Sequence, residues 1–351
     1  MNNKSHHKTW LDNNLNIYKG LTTSVTGIIE NLLNKESIEY LAISGRTKDI
    51  KSCLEKIYRK GYKDIPSQMT DISGIRIIVY FDKETHKTGD LLEKYFDIDQ
   101  KNSEDKKDSL ETNKIGYRSM HYICKLGKDR CNLPEYSEFE GLKFEIQVRT
   151  VLQHAWAELA HDRGYKLSTS LPKKLERKLY LYAGMLELAD SGFDDISQEI
   201  DAYKSELDNK RIDDFEEISI DSVSLQSFFN NWLKNNNIDT DCIASYGNWI
   251  EKLVIEIKGV NINSIGELSS AIPEGYSEKL REYLQHDGHS FSMPGIIRDW
   301  LLNYDHELLL NNVNISWLLD EESYNLIELL LGEDKAQAIR RSFLEKDLFV
   351  T

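Results

Sequence analysis

Apolar and polar positions along this 351-residue chain alternate between helical and strand periods. Leu15, Ile17, Leu21, Val25, Ile28, Ile29, Leu32 and Leu33 lie on or near one stripe, which predicts a helix from about Thr9 to Lys35. Tyr40–Ser44 is a short apolar run, consistent with a buried strand or turn, and Gly45 breaks it. A helix ending near Gly61 follows, and then the β-branched run Ile75–Phe81 reads as a central strand. Residues 84–96 fit a surface helix, and Asp97–Lys114 is a long polar loop of mixed charge. Gly116–Tyr122 continues into another strand. In Leu142–His161 the period changes once. Phe144, Ile146 and Val148 alternate with Glu145, Gln147 and Arg149 as in a pleated strand. From Thr150 onward, Val151, Leu152, Ala155, Trp156, Leu159 and Ala160 take helical spacing, with Thr150 placed to cap the helix.

Pro172 opens a long helical stretch that reaches about Leu207, basic at its start and acidic at its end. Asp208–Ser219 reads as a linker. Short helices follow around Leu225–Leu233, Asn248–Lys258, Glu278–Leu284, Gly295–Leu302 and Tyr324–Leu344. The expected organisation is a first domain over 1–207, a linker over 208–220 and an acidic helical domain over 221–351. No repeat and no catalytic spacing marks the last part, whose tryptophans and leucines read as core.

Charge sharpens this division. Residues 211–351 hold 11 Lys+Arg against 25 Asp+Glu, nearly all of the net charge of −15. That half repels polyphosphate and nucleic acid, so an anionic substrate belongs to the near-neutral first half. A hydrophobic content of 40% allows a sizeable core, and no apolar run is long enough to span a membrane. The N-terminus has no apolar h-region of a secretory signal. Cys53, Cys124, Cys131 and Cys242 are scattered, which argues against a zinc site or a disulfide framework. A reducing cytoplasm is the expected location.

The chemistry concentrates in four places. Lys48, Ser52 and Lys56 are spaced to share one helix face, with Arg46 at its entrance; a phosphate clamp and a solvated basic face both fit. Asp71 precedes the central strand, with Gly74 allowing close approach and Arg76 beyond it; a metal carboxylate and a turn aspartate both fit. Tyr117, Ser119 and His121 share a strand face that could stack a base, or else sit in the core. Glu145, Gln147 and Arg149 put an acid, an amide and a guanidinium on one face, as a metal–phosphate site or a surface ion pair would.

In order and combination, Arg46-x-Lys48-x3-Ser52-x3-Lys56, Asp71-x2-Gly74-x-Arg76, Gly116-Tyr117-Arg118-Ser119-x-His121 and Glu145-x-Gln147-x-Arg149-Thr150, with Gln153, Trp156, Glu158 and His161, resemble the synthetase domain of the RelA/SpoT family. The resemblance covers roughly residues 40–168. It implies an α/β (α+β) fold of nucleotidyltransferase kind, a mixed five-stranded sheet flanked by helices, followed here by a mostly helical C-terminal domain. It also implies transfer of the β,γ-pyrophosphate of ATP to a ribose 3′-hydroxyl, making (p)ppGpp from GDP or GTP. By that resemblance Lys48, Ser52 and Lys56 hold the ATP phosphates while Arg46 and Arg76 sandwich the adenine. Asp71 and Glu145 carry Mg²⁺, Glu145 also serves as general base, and Tyr117, His121, Gln147 and Arg149 form the acceptor side.

Two departures bear on the acceptor. The family's usual lysine and asparagine ahead of the Gly-Tyr motif correspond here to Asn113 and Ile115, and the upstream metal-binding set of the hydrolase half is missing, so alarmone hydrolysis is not expected. Small relatives that pyrophosphorylate the 3′ CCA end of tRNA are the main alternative, with the acidic C-terminal part as a fused inhibitor or sensor. A non-catalytic nucleotide-binding regulator is the third reading. The family often oligomerises, and the sequence fixes no state.

Overall fold

A computed structural model describes residues 2–105, 119–162, 172–210, 215–239, 243–244, 249–287 and 291–350. The chain divides into two compact units, Met1–Gln198 and Glu199–Thr351.

The first unit begins with helix α1 (Asn2–Lys35), followed by strand β1 (Tyr40–Thr47), α2 (Ile50–Lys60), the single turn α3 (Ile65–Gln68) and β2 (Ser73–Val79). Helix α4 (Asp82–Tyr95) leads to two-residue strands β3 (Asp97–Ile98) and β4 (Glu104–Asp105), then β5 (Met120–Lys125). The short α5 (Lys128–Cys131) and a 3-10 turn (Pro134–Phe139) precede β6 (Phe144–Thr150), α6 (Val151–Asp162) and α7 (Lys173–Asp208). The strands lie in the order β1-β2-β6-β5-β3, with β4 also pairing β5. Since β6 takes one edge of β5, β3 and β4 share the other, and the sheet is five positions wide. Only β2 and β6 run parallel; β1, β3, β4 and β5 pair antiparallel.

Strand alternation splits the sheet into two faces. Ile75, Ile77, Val79, Phe144, Ile146 and Val148 are buried against Leu11, Tyr18, Leu21, Val25, Ile29 and Leu33 of α1. A buried hydroxyl network ties α1 to the strand ends: Thr22 Oγ1 donates to Ser73 Oγ at 2.8 Å, and Ser73 donates to the Tyr18 carbonyl at 2.9 Å. Gly45 lies inside β1 rather than ending it. A Cβ there would meet Thr26 Oγ1 at 2.5 Å and Thr22 Cγ2 at 2.8 Å, so glycine is what lets the strand lie this close to α1. The opposite face carries the polar residues, and its site is described below.

In the second unit α8 (Ser222–Asn235), β7 (Ile243–Ala244), α9 (Ile250–Gly259), α10 (Ile265–Ser270), α11 (Tyr276–Asp287), β8 (Phe291–Ser292) and α12 (Met293–Asn312) precede β9 (Leu319–Asp320), α13 (Glu321–Leu331), α14 (Glu333–Glu345) and β10 (Phe349–Val350). Phe228, Phe229, Trp232, Tyr276 and Trp300 centre its core, with the Trp232 and Trp300 rings edge to face at 4.9 Å. The division between units falls within α7. Leu207 is buried in the second core and Asp208 accepts from Ser227 at 2.8 Å, so the last turns of α7 pack with the second unit. Phe215 and Ile220, both within the 208–220 stretch read as a linker, are buried there too. The single helix expected over Tyr324–Leu344 is two, because Gly332 at φ 94° turns the chain between α13 and α14. Among the described residues, no helix is long and apolar enough to cross a membrane.

One buried acid makes this unit pH-sensitive. Burial pushes Asp299 up to about 7, although the Tyr276 hydroxyl, donating at 2.7 Å, pulls the other way. A carboxyl raised on folding binds more protons folded than unfolded, so its contribution is complete below its ordinary value near 4 and disappears as pH rises through 7. The loss is on the order of 4 kcal/mol at most. Asp299→Asn is expected to flatten that dependence, read as the unfolding midpoint of the second unit by calorimetry between pH 4 and 8. Parallel pH profiles for the two proteins would contradict it.

Candidate active site

The register sets the polar face of the sheet. Arg46 pairs with Gly74 and Gly74 with Glu145; Ser44 pairs with Arg76, Arg76 with Gln147 and Gln147 with His121. These pairings form two adjacent rows on one face, opposite the apolar face packed on α1. Arg46 and Arg76 are diagonal neighbours, roughly 7–8 Å apart at the backbone by ordinary sheet geometry. Gly74 has no side chain and Ser44 a small one, so no bulky side chain of these rows fills the space between the two arginines.

A cavity of about 420 Å³ opens on this face, lined by Arg46, Lys48, Ser52, Asp71, Arg76, Glu145 and Gln147 among others. Seven of the residues singled out from sequence thus meet in one place. Lys56 reaches it through Asp71, His121 through Glu145 and Arg149 through Gln147. Tyr117 lies outside the described residues, as do Asn113 and Ile115.

Lys48 arrives differently from the expected shared helix face. It precedes α2, whose first residue is Ile50 and whose N-cap is Asp49. The Asp49 carboxylate accepts from the Ser52 backbone N–H and from its hydroxyl, each at 2.8 Å, so the Ser52 proton is committed to the cap. Lys48 and Lys56 nevertheless converge. Lys48 Nζ donates to Asp71 Oδ2 at 2.7 Å and to the Asp71 carbonyl at 2.9 Å, and Lys56 Nζ donates to the same Oδ2. Asp71 Oδ1 is buried and takes no hydrogen bond. Burial by itself would push the Asp71 carboxyl up, but the two ammonium groups outweigh it and hold it below the usual range.

Around Glu145 the hydrogen bonds form a directed chain. Arg149 can only donate, and it donates to Gln147 Oε1 at 2.7 Å. That fixes the Gln147 amide, whose Nε2 donates to Glu145 Oε2 at 3.1 Å. His121 Nδ1 lies 2.8 Å from Glu145 Oε1, and its Nε2 lies 2.6 Å from Ser119 Oγ. Glu145 therefore accepts from both sides, which suits an ionised carboxylate. Burial pushes its carboxyl up and the nearby Asp71 charge adds to that, but His121 and Gln147 outweigh both and bring it below the usual range.

Two residues named in the motifs find partners that their spacing does not show. Glu158 on α6 accepts from Arg76 at 2.7 Å across 82 positions of sequence. Ser119 joins the His121 end of the chain of bonds. Arg149 itself is buried, and desolvation first and then the Arg76 charge pull its guanidinium below its usual value. It orients Gln147 from behind the cavity wall. At the end of β6, Thr150 Oγ1 accepts from the Gln153 N–H at 3.1 Å and donates to Asp190 of α7 at 2.6 Å, so the predicted cap also anchors the sheet to α7.

Residues 45–170 match the model described as the region found in RelA/SpoT proteins. Over 161 residues the chain is 32% identical to GTP pyrophosphokinase YwaC of Bacillus subtilis (strain 168), spanning 44% of this chain and 73% of that protein. The chain belongs to the RelA/SpoT family. The RelA/SpoT region is also 28% identical over 176 residues to GTP pyrophosphokinase YjbM of the same organism, covering 48% of this chain and 77% of the relative. The crystal structure of small alarmone synthetase 1 from Bacillus subtilis bound to its product pppGpp matches with a TM-score of 0.45 and 25% identity, over 55% of this chain and 98% of that one. All four motifs fall inside the matched region.

Proposed function

We propose that the first unit is an ATP-dependent pyrophosphokinase that transfers the β,γ-pyrophosphate of ATP to the 3′-hydroxyl of GDP or GTP. In that step the acceptor 3′-oxygen bonds to the β-phosphorus, the bond from that phosphorus to the α,β-bridging oxygen breaks, and AMP leaves. The carrying observation is the single cavity in which Lys48 and Asp71 face Glu145 between two arginines. Family membership and the names of its curated relatives support the same reading.

The residues divide the work by their chemistry. Lys48 and Lys56 would receive the triphosphate, exchanging part of their contact with Asp71 for phosphate oxygens. Ser52, at the N-terminus of α2, adds the positive end of a helix. The space between Arg46 and Arg76 suits a flat base held between two planar cations, a role lysine could not fill. Asp71 and Glu145 fit Mg²⁺: they are hard oxygen donors, and Asp71 Oδ1 is a buried acceptor without a partner. Bound there with the phosphate oxygens, Mg²⁺ would neutralise the triphosphate charge. Glu145, ionised and oriented by His121 and Gln147, is the group placed to take the acceptor proton.

Incubating the full-length protein with [γ-³²P]ATP, Mg²⁺ and either GDP/GTP or bulk tRNA tests the reading. Labelled guanine nucleotide is expected, with no loss of added (p)ppGpp. Label confined to tRNA would replace the acceptor, and the acidic residues 211–351, which carry little that could bind RNA, would then fit a fused inhibitor. No label on either acceptor would leave a nucleotide-binding regulator.

A further inference from the structure

The second unit holds a cavity that the pyrophosphokinase reading does not use. Its volume is about 290 Å³, near the lower end for small-molecule sites. Tyr283, Phe291 and Trp317 supply aromatic walls, and Leu302, Leu326 and Ile327 apolar ones. Gly295 contributes a wall without a side chain, on the same face of α12 as Asp299 one turn on. Asp299 is the buried polar group of the cavity. Its Oδ2 accepts from Tyr276 at 2.7 Å, and its Oδ1 takes no hydrogen bond among the described residues. Glu322 stands exposed at the rim.

Above the value of about 7 to which burial raises Asp299, where its carboxyl is ionised, the charges select against anions. Arg298 also lines the cavity, but Glu256 holds its guanidinium through two bonds of 2.8 Å and Trp317 stacks against it at 4.9 Å. That cation is already neutralised, which leaves an open carboxyl oxygen inside and a free carboxylate at the mouth. Aromatic walls beside acidic groups are also the surroundings that attract an ammonium group.

We propose that this cavity binds a small molecule of one or two rings that presents an amine or other N–H donor to Asp299, and that it rejects carboxylate and phosphate ligands. The inference stands independently of the reaction assigned to the first unit. Above pH 7, where Asp299 is ionised, the full-length protein is titrated by calorimetry with tryptamine and phenethylamine, and with indole-3-acetate and phenylacetate as anionic counterparts. Saturable binding of at least one amine is expected, with the matching carboxylate at least tenfold weaker. Asp299→Asn keeps the shape and an acceptor for Tyr276 but turns a donor toward the cavity, and should weaken the amine at least tenfold. Leu326→Trp, which fills the space from a half-buried wall, should abolish it. Absence of binding by both amines, equal binding of the carboxylates, or an affinity unchanged in both variants would overturn the proposal. If either variant fails to fold, the comparison of amine with carboxylate on the natural protein still decides.

Discussion

Glu145→Ala and Glu145→Gln are both expected to lower pyrophosphate transfer by at least about 100-fold, the usual scale for loss of a general base, while the protein stays folded. The glutamine variant is the more informative of the two. Arg149 fixes the Gln147 amide so that its nitrogen points at Glu145, and His121 approaches the other oxygen. A glutamine at 145 has one acceptor where the natural residue has two, so an amide N–H must face either Gln147 Nε2 or His121 Nδ1. Facing the N–H, His121 can take its other tautomer, accepting through Nδ1 and donating to Ser119 through Nε2, so the variant keeps its orientation and loses chiefly the negative charge. Gln147→Ala removes only the orientation from one side and should retain far more activity than either change at 145. The measurement is kcat with ATP and the labelled acceptor, alongside thermal unfolding. A folded Glu145→Gln protein of near-natural activity would remove Glu145 from the reaction.

Much of this site can be read from the residues because its strands keep strict alternation. At β6, Glu145, Gln147 and Arg149 alternate with three apolar residues, and the change of period at Thr150 marks where the strand becomes α6. Pairing then follows from burial, since a one-residue slip would turn Ile146 and Val148 out of the core. Other features depend on distant partners. Gly45 looks like a strand breaker until α1 is packed beside it, when its missing Cβ becomes a steric requirement. Lys48 sits ahead of α2 because Asp49 supplies the cap, a competition between side chain and helix that spacing alone does not resolve. The Arg76–Glu158 pair joins β2 to α6, and nothing local to either residue announces it. In the second unit, the cavity around Asp299 is a property of three helices and their connections, so no linear motif records it.

Asp71→Asn is expected to lower kcat at least about 100-fold and to raise the half-saturating Mg²⁺ concentration about tenfold or more, with little change in stability. The stability argument rests on exposure. Lys48 and Lys56 keep 29% and 21% of their side-chain surface exposed, so both can return to water when the carboxylate is neutralised. The pH dependence has a defined sign. A carboxyl held below its ordinary value stabilises the fold above that value, and the contribution fades as pH falls through the depressed range. At neutral pH that contribution is fully present, so its loss in the variant is largest there; because both lysines can return to water, the variant should still melt within a few degrees of the natural protein. Two roles for Asp71 predict different kinetics. If it only positioned the lysines, its loss would weaken ATP binding, raise KM and leave the Mg²⁺ requirement where it was, as Lys48→Ala would. If Oδ1, buried and without a partner, is there for the metal-bound triphosphate, kcat and the Mg²⁺ requirement move together. A raised KM with unchanged kcat and unchanged Mg²⁺ response would reduce Asp71 to an anchor for two lysines, and Glu145 would then be the one carboxylate left to hold the ion.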